Sequence, residues 1–455
     1  MDELLDAARL AAAHLSAVPG GPVWRPVPGE AAAWLTGQPL PERGAPLGDL
    51  LGVIRDRVLP YPMGNGHPRF FGWVNSPPSP AGVLAAPLAA AMNPSCAGGE
   101  HAGALLERTA VRWLAELTGF PHPPGGGLLT SGASMATVIA LATARHRVTG
   151  VRENGLYGER PLTLYLSAEG HSCLRKAAEL LGLGGRYVRT VPVDAAFRMD
   201  VAALRRHIED DLRAGLRPFL VAASAGTVGT GAVDPLTEIA SAAREHGLWF
   251  HVDGAYGALG VLDEDVRPVY RGMDLADSLA LDPHKWLGVP VDCGCVLFRD
   301  PAGPRDAFSL VPPYLRDDGA GELGWFSEYG PEQTRPFRAL RVWATVAHLG
   351  RDGITRLVRH TRERAADLAA MVEASADFAL AAPVVTSVVA FRYLPRPVDG
   401  ALPAAVQRRG RAFLTGTVLD GRETLRACVL HPDTTRDDLA VLLDEIRAAA
   451  RELPT

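Results

Sequence analysis

Lysine is nearly missing from this chain. Among 455 residues only Lys176 and Lys285 carry an ammonium side chain, and arginine supplies the rest of the basic charge. The net charge is −5, and basic clusters such as Arg359 to Arg364 are short, that one being interrupted by Glu363. Such a balance gives no footing for a nucleic-acid or membrane-surface partner. Cysteine is scarce as well. The five residues include no CxxC pair, which removes a disulfide framework and a ribbon-type metal site and fits a reducing compartment. Cys293 and Cys295 sit in an apolar run and are expected as buried strand thiols, so no metal centre is expected. No apolar stretch approaches the roughly 20 residues of a membrane span. Met1-Asp2-Glu3 is acidic, unlike the basic start of a signal peptide. These absences lead us to expect a cytoplasmic protein.

What is present reads as an ordinary globular chain, 47% hydrophobic and 21% charged, long enough for two or three domains. Residues 1–66 are expected to form an arm. Leu4, Ala8, Ala11 and Leu15 mark one face of a helix, the Pro/Gly-rich stretch 19–46 is too broken for continuous structure, and a second helix covers 47–58. From 67 to 345 short apolar runs alternate with helical patterns. Strands are predicted at 162–167, 187–193, 218–224, 248–252, 278–281 and 294–298, with helices at 173–183, 201–214 and 236–246 between them. That alternation implies an α/β fold with a mainly parallel sheet covered on both faces. A helix from about 337 leads to a smaller C-terminal α/β domain, 346–455. It should contain a helix at 354–375, strands around 384–393, a hairpin turning at Asp420-Gly421, and a last helix at 435–453 capped by Thr434 or Thr435.

The chemistry starts at Pro283-His284-Lys285-Trp286. A lone lysine is usually a solvated charge. Lys285, however, lies among Leu281, Pro283, Trp286 and Leu287, where burial favours a neutral, nucleophilic amine. Some thirty residues upstream, His251-Val252-Asp253-Gly254-Ala255-Tyr256-Gly257 closes an apolar strand. Asp253 there is either a turn cap or the partner of a ring nitrogen, with the small Ala255 leaving room for a flat ring. Further back, Ser131-Gly132-Ala133-Ser134 opens a helix, and helix N-termini bind phosphate. That motif is weak by itself. His171 follows a strand end and can stack on a ring and touch a substrate carboxylate, although a single histidine is more often structural. Ser224-Ala225-Gly226-Thr227, Asp253 and Lys285 all fall at or after strand ends, where ligands bind in open α/β sheets. A phosphate cradle, a stacking ring, a carboxylate and a lysine, in this order, make up the set that pyridoxal phosphate (PLP) requires.

With these motifs the chain resembles the group II PLP-dependent amino-acid decarboxylases, the family of the aromatic L-amino-acid, histidine and glutamate decarboxylases. The likeness runs from His67-Pro68-Arg69-Phe70-Phe71 to Thr415-Gly416-Thr417 and Leu425-Arg426. The resemblance implies the fold-type-I, aspartate-aminotransferase-like architecture and a homodimer whose N-terminal arm clasps the partner and whose active sites lie at the subunit interface. It implies that Lys285 carries PLP, Asp253 binds the pyridine nitrogen and His171 stacks on the ring. Ser131, Ala133, Ser134 and His284 then serve the phosphate, and Thr227 lies near the O3′ side. The implied reaction is α-decarboxylation of an L-amino acid to amine and CO2.

Two features depart from the family pattern. Counting back from Arg335-Pro336-Phe337-Arg338-Ala339-Leu340 without gaps puts Phe326 where the decarboxylases supply a tyrosine that protonates Cα. Tyr329 is three residues on, and Tyr314 lies further back. Relatives with phenylalanine at that position resemble oxidative aldehyde synthases that consume O2, which stands as the alternative product. In the segment resembling the side-chain pocket, Trp73 and Val74 suit an aromatic or apolar substrate, whereas Asn93 and Ser95 are small and polar. A transaminase or desulfurase fits the motifs less well. A non-catalytic PLP-binding protein is the alternative from another class, and the joint presence of Lys285 and Asp253 speaks against it.

Overall fold

The computed structural model describes residues 2–310, 322–397 and 399–454, and contacts divide it into two compact units. One comprises residues 78–362 and 382–386; the other comprises 1–77, 363–381 and 387–455.

The larger unit is built on a seven-stranded sheet. Its strands are β1 (Gly127–Thr130), β2 (Leu162–Ser167), β3 (Val188–Val191), β4 (Arg217–Ser224), β5 (Trp249–Asp253), β6 (Ser278–Leu281) and β7 (Gly294–Phe298), in the order β1-β7-β6-β5-β4-β2-β3. Neighbours from β6 through β3 are parallel, and β7 runs antiparallel to both β6 and β1. β2, β5, β6 and β7 are buried at every residue. They read as short continuous apolar runs because helices cover both faces. The helix Ala133–Thr149 follows β1 and packs against β7 and the helix Ser172–Leu180, burying Ala136, Ile139, Ala140, Leu141 and Ala144.

The second unit holds an antiparallel sheet of β8 (Phe378–Leu380), β9 (Val388–Tyr393), β10 (Thr415–Leu419) and β11 (Arg422–Cys428), ordered β10-β11-β9-β8. Asp420 and Gly421 both take positive φ, 50° and 70°, as a two-residue hairpin turn demands. Thr435 caps the helix Arg436–Glu452 in a reciprocal arrangement with Asp438. In the arm, the helices Asp2–Ala17 and Leu47–Val53 form as the sequence predicts. The stretch 19–46 needs correction, since it holds the helix Gly29–Thr36, for which Glu-Ala-Ala-Ala-Trp-Leu is a good helix-forming core.

The contact boundaries at 77/78 and 362/363 differ from the sequence division at 66/67 and 345/346, for local reasons. Phe71 N donates to Phe413 O, and Cys428 N donates to Phe71 O, so this segment is bonded to residues of the C-terminal unit. In the other unit Thr361 and Arg362 bond Trp286 and Asp263. The two predicted helices at 337 and 354–375 both form within Ala339–Glu373, separated at Gly350, whose φ of 62° and ψ of 172° are not helical. Among the described residues no helix is long and apolar enough to cross a membrane.

Candidate active site

Strand exits on one edge of the large sheet bring the candidate residues together. β4 and β5 end in register at Ser224 and Asp253, and Ala225 N donates to Asp253 O at 2.8 Å. The Asp253 carboxylate accepts from Ala255 N at 3.1 Å, an Asx-type closure of the turn. Ala255 O in turn accepts from Asp282 N at 3.1 Å, which joins the exits of β5 and β6. Thr227 follows Gly226 in a buried turn, its hydroxyl 2.9 Å from that of Thr230. Gly226 has φ 103°, and a Cβ there would lie 2.9 Å from Gly257 Cα, so this close approach of two turns requires glycine.

Lys285 sits on the connection between β6 and β7. Its backbone N donates to Asp282 O at 2.9 Å, and its ammonium lies 3.2 Å from Asp282 Oδ2. The sequence suggested an apolar setting for this amine; the structure adds a carboxylate partner, and the side chain is 19% exposed. His284 Nδ1 accepts from Cys293 N at 3.1 Å. When neutral, this imidazole therefore carries its proton on Nε2, which lies 3.8 Å from Asp282 Oδ2.

At the end of β1, Thr130 Oγ1 donates to Gly132 O at 3.0 Å and the helix begins at Ala133. Ala133 N donates to Asp282 Oδ1 at 2.6 Å. Ser131 is half-buried and Ser134 exposed. A Cβ on Gly294, the first residue of β7, would fall 2.4 Å from Gly132 C, so glycine there lets the turn lie directly on the strand.

His171 is the N-cap of the helix Ser172–Leu180, its Nδ1 accepting from Cys173 N at 3.2 Å. The neutral ring thus also keeps its proton on Nε2. One ligand-type atom each of His171, Cys173 and Asp253 lie within 4.8 Å of one another. Burial above all pushes the Cys173 thiol up to about 12, and the charges of Asp253, Lys285 and Asp282 all act on it. Asp253, His171, Lys285 and Asp282 therefore share one locus.

The remaining candidates make other contacts. Phe326 is 4% exposed, with Arg335 and Arg108 over its ring at 5.0 and 5.1 Å. Tyr329 is buried and donates its hydroxyl to Leu323 O at 2.6 Å, next to Gly125. Both thus stand with the start of β1, whereas Ala133 follows its end. Asn93, a left-handed helix cap with φ 44°, and Ser95 are exposed. Trp73 and Val74 belong to the other unit; Trp73 has φ 46° and is 46% exposed, while Val74 is buried. Tyr314 falls outside the described residues. The reading of the sequence passed over Asp282, although a carboxylate three residues before the lysine, at the mouth of the same turn, was the available signal.

The donor set suits PLP. The first amide of a helix already receives an anionic oxygen from Asp282, a primary amine lies beside it, and a buried carboxylate closes the adjacent strand. Fold and site together define a PLP-dependent enzyme. A family model described as the pyridoxal-dependent decarboxylase conserved domain matches residues 28–394, and the chain belongs to that family, the PLP-dependent amino-acid decarboxylases. It is 33% identical over 433 residues to an aromatic-L-amino-acid decarboxylase of Bacillus atrophaeus, covering 91% of this chain and 88% of that one. It is also 33% identical over 428 residues to an L-2,4-diaminobutyrate decarboxylase of Rhizobium meliloti, covering 92% and 85%. The crystal structure of Oryza sativa TDC with PLP and tryptamine superposes with a TM-score of 0.91 at 26% identity, over 99% of this chain and 97% of that one.

Proposed function

We propose that the chain removes the α-carboxylate of an L-amino acid with an aromatic or other apolar side chain, giving the amine and CO2, and that it works as a cytoplasmic homodimer. The observation that carries this reading is the convergence of Lys285, Asp253, His171 and the Ala133 amide at one edge of the sheet. When bound, PLP supplies an electron sink conjugated with the substrate's Cα. Lys285 provides the amine that holds it. Asp253 keeps a proton on the ring nitrogen, and Ala255 and His171 flank the ring. Ser131, Ala133, Ser134 and His284 bind the phosphate, and Thr227 serves the hydroxyl side. His171, whose Nδ1 is committed to its helix, returns a proton to Cα from Nε2. Asn93 and Ser95 serve as pocket residues, and the Trp73-Val74 segment favours an aromatic or apolar side chain.

The partner subunit is supported by exposed apolar stripes. Leu84, Leu88 and Met92 recur every four residues along the helix Pro80–Met92, and Leu47, Leu50, Ile54 and Val58 are exposed on the arm. Contiguous apolar surface of this kind marks interfaces. The oxidative alternative draws on Phe326 standing in place of a tyrosine.

A panel of the standard amino acids and 2,4-diaminobutyrate, run with and without air, tests the reading. Equal amounts of amine and CO2 from an aromatic substrate, without O2 uptake, are expected. Aldehyde with peroxide would turn the assignment to the oxidative route. Turnover of diaminobutyrate alone would overturn the apolar substrate, and no turnover with bound PLP would favour a binding protein.

A further inference from the structure

One buried carboxylate holds two groups that the cofactor needs. Asp282, its side chain 4% exposed, accepts from Ala133 N at 2.6 Å and pairs with the Lys285 ammonium at 3.2 Å. His284 Nε2 is 3.8 Å away. The other ionisable groups bearing on this locus come from each packed element: Cys173 from the helix Ser172–Leu180, Asp253 from β5, and Cys293 and Cys295 beside and within β7. The helix Ala133–Thr149 contributes a backbone amide. Lys285 is the cation paired with Asp282; His284 and His171 add charge only when protonated, and Arg338, Arg341 and Arg335 bear on Cys293 and Cys295.

The anion that the helix amides are built to receive is the cofactor's phosphate, and the amine that Asp282 neutralises is the one that holds the cofactor. An ionised Asp282 would then face a dianion after losing its own cation, and a like charge at close range favours the protonated carboxyl. We propose that Asp282 is a proton-linked latch: it holds the helix amide and Lys285 while PLP is absent, and it takes up a proton as the phosphate arrives. Cofactor loading is thereby coupled to pH through a residue outside the chemical step.

The test compares apo wild type with Asp282→Asn, which keeps an oxygen for Ala133 N and removes the charge. PLP is titrated calorimetrically in buffers of different ionisation enthalpy, while the visible absorbance of bound PLP reports loading independently. The phosphate's own proton exchange is common to both proteins, whereas Lys285 loses its charged partner in the variant, so the count measured with pyridoxal is subtracted in each. Wild type is expected to take up close to one proton more than the variant near pH 8. The variant should bind PLP more tightly there, and since one linked proton changes the affinity tenfold per pH unit, the gap should shrink about tenfold for each unit the pH is lowered toward 5. Pyridoxal, which lacks the phosphate, is titrated into both proteins to read the Lys285 contribution of each, and should bind wild type without the extra proton. Equal proton counts for wild type and variant, weaker PLP binding by the variant, or the same proton uptake with pyridoxal would each overturn the proposal.

Discussion

The indole of Trp286 lies on the ring of Tyr256, with centroids 5.1 Å apart and planes 20° apart. Its Nε1–H donates to Thr361 Oγ1 at 2.8 Å. The residue after Lys285 is therefore held by a ring on the β5 turn and by a hydroxyl on the long helix, which fixes where the amine emerges.

Trp286→Phe should keep the stacking and lose the hydrogen bond, at about 1 kcal/mol. Trp286→Ala should cost about 3–5 kcal/mol and weaken PLP binding. Urea unfolding of the apo chain with a parallel PLP titration checks both.

His171→Asn retains a good N-cap for the helix Ser172–Leu180, so stability should change little. If the imidazole protonates Cα, amine formation should fall by about 10²–10⁴-fold, and aldehyde and peroxide should rise under air. An unchanged product ratio would remove His171 from that role.

Tyr329→Phe should leave Leu323 O without its donor, at about 1 kcal/mol, and should not alter the ratio of amine to aldehyde. Phe326→Tyr puts an extra oxygen into a packed site beneath two guanidinium groups, at about 1–3 kcal/mol. A shift toward amine in Phe326→Tyr, or toward aldehyde in Tyr329→Phe, would instead bring that ring to the reacting carbon.

Arg335 and Glu107 are each 1% exposed and 2.5 Å apart. Glu107 also accepts from Leu129 N, and Arg335 donates to Cys96 O and Leu129 O. Glu107→Gln leaves the buried guanidinium only the longer pair with Glu332, 3.9 Å from its Nε, and should cost up to about 3–5 kcal/mol. The double variant with Arg335→Met should cost less than the sum of the single changes in denaturant unfolding.

Acid should weaken the fold through buried imidazoles. Burial holds His251 and His67 neutral, each pushed down to about 4. The unfolded chain, with histidine near its ordinary 6.5, binds protons there that the folded chain refuses. This stability is complete above about 6.5 and is lost as pH falls toward 4, at about 1.4 kcal/mol per unit and group. Asp234 acts oppositely. Burial raises it to about 6 from 3.8, so its contribution is complete below 3.8 and is lost as pH rises through 6. His251→Gln should remove one proton's worth of slope between pH 4 and 6.5, and Asp234→Asn should steepen the acid loss. Urea midpoints across that range read both.

Much of the sheet was legible because its strands are short apolar blocks between polar or glycine breaks. The predicted 162–167, 278–281 and 294–298 coincide with β2, β6 and β7. β1 escaped notice because four residues after a glycine run carry no period. The helix Pro80–Met92 has an internal proline and no polar face, so neither its pattern nor its punctuation announced it. At the site, residue chemistry drew Lys285, Asp253 and His171 from the sequence. Asp282 was hidden because its role depends on Ala133, 149 residues away. The places of Phe326 and Tyr329 depend on packing against Arg108, Arg335 and Leu323, which no count along the chain supplies.

β7 runs against its neighbours, so the chain passes from β6 to β7 through residues 282–293 without a crossover helix. Lys285 thus sits on a local hairpin-like unit, whereas Ala133 reaches Asp282 across a long separation. Local pairings form ahead of distant ones, since closing long loops costs entropy before contacts compensate. By that ordering the amine is expected in place early during folding, with the anion cradle completed only when β1 docks against β7. Competence to receive the cofactor is therefore a late property of the folding chain, one that a partly folded intermediate lacks even with its lysine correctly presented.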